Sequence, residues 1–389
     1  MKRYALTPRA DWQEKVADIG MDFYEIDGAV YWDEAGCFTF TSAEIDGLEG
    51  VANELMARVK EAVGYVIDRR LYAELDIPRA YIPAIEKSWA EGAPDIYARF
   101  DIAYDGFNPP KMLELNADTP TSLFETAVVQ WHWLQDRFPK SDQFNSLHES
   151  LVARWANIAM PWPSGSSMHF TSAAPHKEDE ATTKYLMATA LEAGIGAKFI
   201  ALGDIGWTDR DQKFWDLEGQ QIERLFKLYP WEWMLADPFG ANLLAHPPKH
   251  MFNPAWSMVA ASKGLLPILW DMFPAHPHLL ASSRNLSDVT PYGRIVGKPL
   301  RGREGQNIEI REGAKVLANT GGPMADDGRV WQEWTPLFQG PTGHAVLGLW
   351  MVDGECKGMG IREDQSPITG NNSRFVPHLF GESDILPGT

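Results

Sequence analysis

Cysteine is nearly absent: the 389 residues include two, Cys37 and Cys356, far apart and in no CxxC spacing. That argues against a thiolate metal site and for a reducing compartment, the cytoplasm. No run of about 18 apolar residues occurs, and the first twenty residues have no apolar core of signal-peptide length. Neither a membrane span nor export is therefore expected. Positive charge is in deficit, with 35 Lys and Arg against 53 Asp and Glu and a formal net charge of -18. Such a chain repels phosphate backbones and anionic membranes at long range, so neither is an expected partner. Repeats, low-complexity tracts and the P-loop signature GxxxxGK[ST] are also missing. What remains is 44% hydrophobic and 12% aromatic, with 16 Trp. A chain of this length and composition packs as a globular protein of about two or three lobes.

Periodicity predicts the larger elements. Thr41 and Glu44 stand at capping-box spacing, and Ile45, Leu48, Ala52, Leu55, Val59 and Val63 recur at three and four residues. This predicts an amphipathic helix to about residue 71. A second helix is expected over residues 179–193, with Tyr185, Leu186, Ala190 and Leu191 as its stripe, then a buried strand over residues 194–202. Together they suggest an α/β lobe. Residues 216–228 read as a further helix. From 296 to 350, short strands separated by Gly, Pro and Asp predict an antiparallel sheet. Pro161, Pro163 and Gly165 mark one boundary and His246-Pro247-Pro248 another, which divides the chain into 1–160, 161–250 and 251–389.

The stretch YARFDIAYDGFNPPKMLELN, residues 97–116, alternates along two strands around the turn signals Asp105-Gly106 and Pro109-Pro110. Antiparallel pairing about residues 107–108 sets Asp101 opposite Glu114 and Arg99 opposite Asn116, all on one face. Facing Cβ atoms are then roughly 4.5–5.5 Å apart. Two opposed carboxylates need positive charge between them. With an Asn oxygen beside them they form a hard-oxygen set suited to magnesium; an exposed face with an ordinary Arg99 ion pair is the other reading.

Four later segments carry cations or polar strand ends. Lys263 sits in an apolar stretch, where it either snorkels to the surface or reaches an anion. Lys298 ends a strand and is followed by Arg301, Gly302, Arg303 and Gly305, a loop able to fold over phosphates or to be a plain turn. Gln332 and Glu333 end a short apolar strand, facing an adenine edge or the solvent. Arg362 follows Gly358 and Gly360, small residues that let a ligand approach the backbone or merely precede a surface arginine.

These motifs in this order resemble the synthetase domain of glutathionylspermidine synthetase and its short stand-alone relatives, acid–amine ligases of the ATP-grasp class. They are RFD(x12)ELNAD, FNPAW…SKGLLPILW, KPLRGREGQNI, WQEW and GIRED…NNSRFVPH. The resemblance covers essentially the whole chain, without the family's N-terminal amidase domain, so no amidase activity is expected. It implies a mixed α+β and α/β architecture: an ATP-grasp fold with permuted motif order and a preATP-grasp-like α/β lobe at 161–250. The metal-binding hairpin falls in 1–160 and the nucleotide-binding region with its lid in 251–389. The implied cofactors are ATP and Mg2+, and the implied reaction is amide formation between a carboxylate and an amine through an acyl phosphate. By the same resemblance Asp101, Glu114 and Asn116 are magnesium ligands, and Arg99 and Arg362 serve the reacting carboxylate and acyl phosphate. Lys263 and Lys298 contact ATP phosphates, and Gly302 and Gly305 belong to a lid over residues 301–307. Gln332 and Glu333 lie at the adenine strand, and Glu178 and Asp179 fall near the peptide and amine sites. There are two departures. Asn253-Pro254 replaces the family's Glu-Pro, and Arg374 replaces an acidic residue near the polyamine site, which argues against spermidine as the amine. A nucleotide-binding regulatory or scaffolding protein, or a phosphotransferase, is the alternative.

Overall fold

The capping box at Thr41 forms as its spacing predicts. The Thr41 hydroxyl accepts from the Glu44 backbone N–H, and the Glu44 carboxylate accepts from that of Thr41. The helix it opens, Ser42–Arg69, buries Ile45, Leu48, Ala52, Leu55, Val59 and Val63 on one face, as a 3.6-residue period requires. The computed structural model describes residues 1–173, 176–234, 237–322 and 328–381, and the fold is mixed α/β.

Among the described residues that helix packs behind a six-stranded antiparallel sheet. The hairpin strands Tyr97–Ala103 and Lys111–Asn116 form one side of this sheet. Beside them run Gly343–Val352 and Glu355–Asp364. A second antiparallel sheet of five strands includes Arg294–Pro299 and Arg329–Glu333; the short antiparallel strands expected between 296 and 350 are there. The first strand, Lys2–Ala5, and the late strand His378–Phe380 both pair with Gly36–Phe40.

The α/β lobe is a parallel four-stranded sheet in the order His250–Phe252, Arg224–Leu228, Ser167–Ser172, Gly196–Phe199. The helix Lys177–Glu192 matches the expected one closely. Two expectations are corrected. The strand predicted over 194–202 is shorter, Gly196–Phe199, and only half-buried because it is the sheet edge. The helix predicted over 216–228 is a turn followed by a strand. Asp216 accepts from the backbone N–H groups of Glu218 and Gln220 (2.9 and 2.8 Å), and Gly219 turns with φ 78°. Arg224–Leu228 then enters the sheet with every residue buried. Ile222, Leu225, Phe226 and Leu228 imitate helical spacing because a strand buried on both faces has no polar alternation.

Candidate active site

The hairpin register is the one its alternation predicts: Arg99 pairs with Asn116 and Asp101 with Glu114, with a bulge immediately after Asp101. Its polar face opens on a cleft also lined by Lys263, Lys298, Gln332 and Arg362. Arg99 Nε donates to Asp101 Oδ1 at 2.7 Å, and its Nη1 donates to the carbonyl of Thr121 at 2.6 Å. Gly348, opposite Asp101, leaves room for this arginine, since a Cβ there would lie 2.9 Å from Arg99 Cδ.

Both lysines reach the hairpin rather than the surface. Lys263 Nζ donates to the carbonyl of Gly302 at 2.7 Å and lies 3.4 Å from Glu114 Oε2. Lys298 Nζ donates to the carbonyl of Leu113 at 2.8 Å. Burial pushes Lys298 down to about 8, with Glu114 opposing the shift. Burial alone would raise the Glu114 carboxyl, but Lys263, Lys298 and Arg99 outweigh it and hold the group below the usual carboxylate range. The result is an ionised acid among three cations in a partly dry cleft.

Asn116 Nδ2 donates to Asp101 Oδ2 at 3.4 Å, which leaves the amide oxygen to other partners. Among the described residues no group of three or more His, Cys, Asp or Glu side chains is arranged to hold a metal. The hairpin set is two carboxylates and one amide, a donor set that fits magnesium when phosphates and water complete its shell.

Gly302, Gly305, Gln332 and Glu333 also line the cleft. Arg303 clasps its loop to the body, donating to Thr119 Oγ1 and Glu232 Oε1, each at 2.8 Å. The backbone of the strand ending in Gln332 and Glu333 is already paired on both sides. Residues 334–337 at its exit, with Trp334, Thr335 and Leu337 on the cleft, offer the accessible surface instead.

Arg362 donates from Nε to the carbonyl of Ser373 and from Nη2 to those of Gly370 and Asn371, all at 2.9 Å. The glycines before it do not make way for a ligand. The space at Gly358 is taken by Leu147, and that at Gly360 by Thr126 and Phe375.

Three expected substrate residues stand apart from the cleft lining. Arg374 is tied to Asp33 (3.2 Å) and to Glu363 (2.9 Å), which neutralise the charge expected to repel a polyamine. Glu178 lies 3.4 Å from the Tyr31 hydroxyl. Asp179 is pushed up to about 7, chiefly by burial and then by Glu178 and Glu304.

The sequence reading missed Tyr31 and Glu125, and it singled out Asn253 only as a departure from the family. Asn253, in place of the family's Glu, is fully buried and donates to the carbonyls of Tyr97 (2.9 Å) and Ala117 (2.8 Å) while accepting from the Ile96 N–H. It thereby fastens the base of the hairpin. Glu125 was visible as a lone acid in the apolar run LFETAVV and begins a π-helical segment, Glu125–Val129. Such irregular turns are common at functional sites. Burial, then the Glu178 charge, raises its carboxyl to about 8, against a hydrogen bond from Tyr31 and the charge of Arg362.

That shift has a stability consequence. Protons held by folded Glu125 but not by the unfolded chain favour folding fully below about pH 4, and this contribution is lost as pH rises through about 8. Glu125→Gln cannot ionise, so its unfolding free energy, from urea titrations between about pH 5 and 8, should fall less than that of the unaltered protein. Equal falls would show that Glu125 ionises normally.

Residues 3–381 match the family described as glutathionylspermidine synthase preATP-grasp. The chain belongs to that family. A Haemophilus influenzae protein named "Putative acid--amine ligase" is 37% identical over 98% of this chain and 100% of its own length. Trypanothione synthetase of Crithidia fasciculata is 28% identical over 81% of this chain and 52% of its own. The bifunctional glutathionylspermidine synthetase/amidase of Escherichia coli is 25% identical over 87% and 58%. The chain thus spans a little over half of these two larger relatives. A glutathione synthetase-like effector from Globodera pallida shares the fold, with a TM-score of 0.57 and 10% identity over 95% of this chain and 96% of its own. The family is one of ligases, and membership places this chain in that enzyme class. No helix among the described residues is long and apolar enough to cross a membrane.

Proposed function

We propose that this protein is an ATP- and magnesium-dependent ligase that joins a small-molecule or peptide carboxylate to an amine, on an ATP-grasp fold of permuted motif order. The observation that carries the reading is the meeting of Asp101, Glu114 and Asn116 with Lys263, Lys298, Arg99 and Arg362 in one cleft. Asp101, Glu114 and Asn116 would hold magnesium, which neutralises charge on the transferring phosphoryl group when bound. Lys263 and Lys298 neutralise the ATP phosphates. Gln332, Glu333 and residues 334–337, with the apolar Val296, Ile308 and Ile310, form the adenine end. Arg99 and Arg362 stabilise charge at the reacting carboxylate and on the phosphoryl oxygens.

A carboxylate is a poor electrophile. Transfer of the γ-phosphoryl group to its oxygen gives ADP and an acyl phosphate. The amine then attacks the acyl carbon, loses a proton and expels phosphate as the amide forms. The loop 301–307, carrying Gly302 and Gly305 and clasped through Arg303, shields the acyl phosphate from water. Glu178 and Asp179 belong to the amine or peptide end, where Asp179 feels the charges of that loop's Glu304 and Arg303.

Incubation with ATP, magnesium and a metabolite library, read by mass spectrometry, tests this. The expected product has the mass of acid plus amine less water, with ADP and phosphate released. A phosphorylated product, or ATP binding without turnover, would defeat the ligase reading.

A further inference from the structure

Arg362 reaches the cleft from an unusual seat. Its Nε and Nη2 are spent on the carbonyls of Ser373, Gly370 and Asn371. These partners fix one edge of the guanidinium but not its face. The face rests on the ring of Tyr31, with the guanidinium carbon 5.2 Å from the ring centroid. Tyr31 is fully buried, and its backbone carbonyl accepts at 2.6 Å from the N–H of Phe375, the residue that pairs with Arg362 across the sheet. The Tyr31 hydroxyl donates to Glu125 Oε1 at 2.6 Å, with Glu178 Oε1 farther off at 3.4 Å, which anchors the far end of the ring. Among the described residues Glu125 Oε2 is buried with no hydrogen-bond partner, and the side-chain hydrogen bond this carboxyl accepts comes from Tyr31.

We propose that Tyr31 and Glu125 are positioning residues for Arg362. The Glu125 carboxyl orients the tyrosine ring, and the ring face holds the guanidinium in plane so that its remaining N–H groups point into the cleft. A guanidinium over an aromatic face is attracted by the ring quadrupole, more strongly when desolvated. An arginine that stabilises developing charge must be held before that charge appears, or the gain is lost to reorganisation. Glu125 sits where the π-helical turn departs from α geometry, which carries its side chain across to Tyr31.

The inference rests on the ligase reading of Arg362, and two separate readouts keep their failures apart. The first needs no turnover: ring currents should displace the Arg362 Nε–H resonance in the unaltered protein. Tyr31→Leu should remove the displacement, while Tyr31→Phe should keep most of it. An unchanged resonance in Tyr31→Leu would overturn the proposal. The second is ATP-dependent phosphate release with the library-identified substrates. Tyr31→Leu should lower kcat on the order of tenfold with little change in KM for ATP. Tyr31→Phe and Glu125→Gln should each cost less, and both keep the ring should Tyr31→Leu fail to fold. In an Arg362→Lys background, Tyr31→Leu should cost almost nothing further; additive losses would show that Tyr31 acts elsewhere. Failure of the unaltered protein to turn over ATP would sink the ligase reading and leave the resonance test standing.

Discussion

Glu114→Gln should lower ATP turnover by on the order of a hundred- to a thousandfold, the scale of losing a preorganised charge contact in phosphoryl transfer. The substitution keeps the side chain's shape and takes away one negative charge. Glu114 is the acid that Lys263 approaches at 3.4 Å and that opposes the downward shift of buried Lys298. Without it, three cations of the cleft face Asp101 alone, and the hairpin offers one carboxylate instead of two to a divalent ion. Asn116→Ala should act in the same direction while leaving the local charge intact, which separates loss of an oxygen donor from loss of charge. Phosphate release with identified substrates measures both effects. Circular dichroism and urea midpoints verify that the hairpin still folds, since Arg99 pairs with Asn116 through the backbone and does not need its side chain. Turnover within a factor of about three of the unaltered protein, in either variant, would remove the metal assignment, because such a loss is under 1 kcal/mol.

The largest stability effect is expected two residues beyond the hairpin. Lys227 lies in the buried strand Arg224–Leu228, fully enclosed, and its Nζ donates to Asp118 Oδ1 at 2.6 Å. The other Asp118 oxygen accepts from the Trp231 N–H at 3.0 Å, and the ammonium stands 4.8 Å from that residue's indole centroid. Burial lowers the Lys227 pKa despite Asp118 and, more weakly, Glu232, so the ion depends chiefly on its hydrogen-bonded partner Asp118. Asp118→Asn should therefore cost about 3–5 kcal/mol in urea unfolding, the range found when one partner of a buried pair is removed. The double variant Asp118→Asn with Lys227→Met should recover much of that, because Asn can still accept from Trp231 and no lone charge stays buried. A single variant that loses under about 1 kcal/mol would show that water reaches the pair.

How much of this was legible beforehand differs by element. The helix Ser42–Arg69 announced itself because its cap and its stripe are local, encoded within a few residues of where they act. The hairpin register was legible for the same reason. Two alternating strands joined by a short turn leave one pairing that keeps Phe100, Ile102 and Leu115 buried together. The strand Arg224–Leu228 was misread because burial on both faces erases alternation and leaves spacing that a helix shares. Lys227 made that error natural, since a lysine in a fully buried strand has no sequence signature until its partner 109 positions away is known.

The site divides in the same way. Residue types and order, through the motifs around Asp101, Glu114, Lys263, Lys298 and Arg362, determined which side chains could serve a phosphoryl-transfer cleft. Only the tertiary structure decided what surrounds them. It set Tyr31 beneath Arg362 and Asn253 at the hairpin's base, and it bound Arg374 to Asp33 and Glu363 beyond the cleft lining. The physical reason is range. Caps, periodicity and turns act over a few residues and are written in the chain, whereas desolvation and ion pairing depend on which distant segments the fold brings into contact.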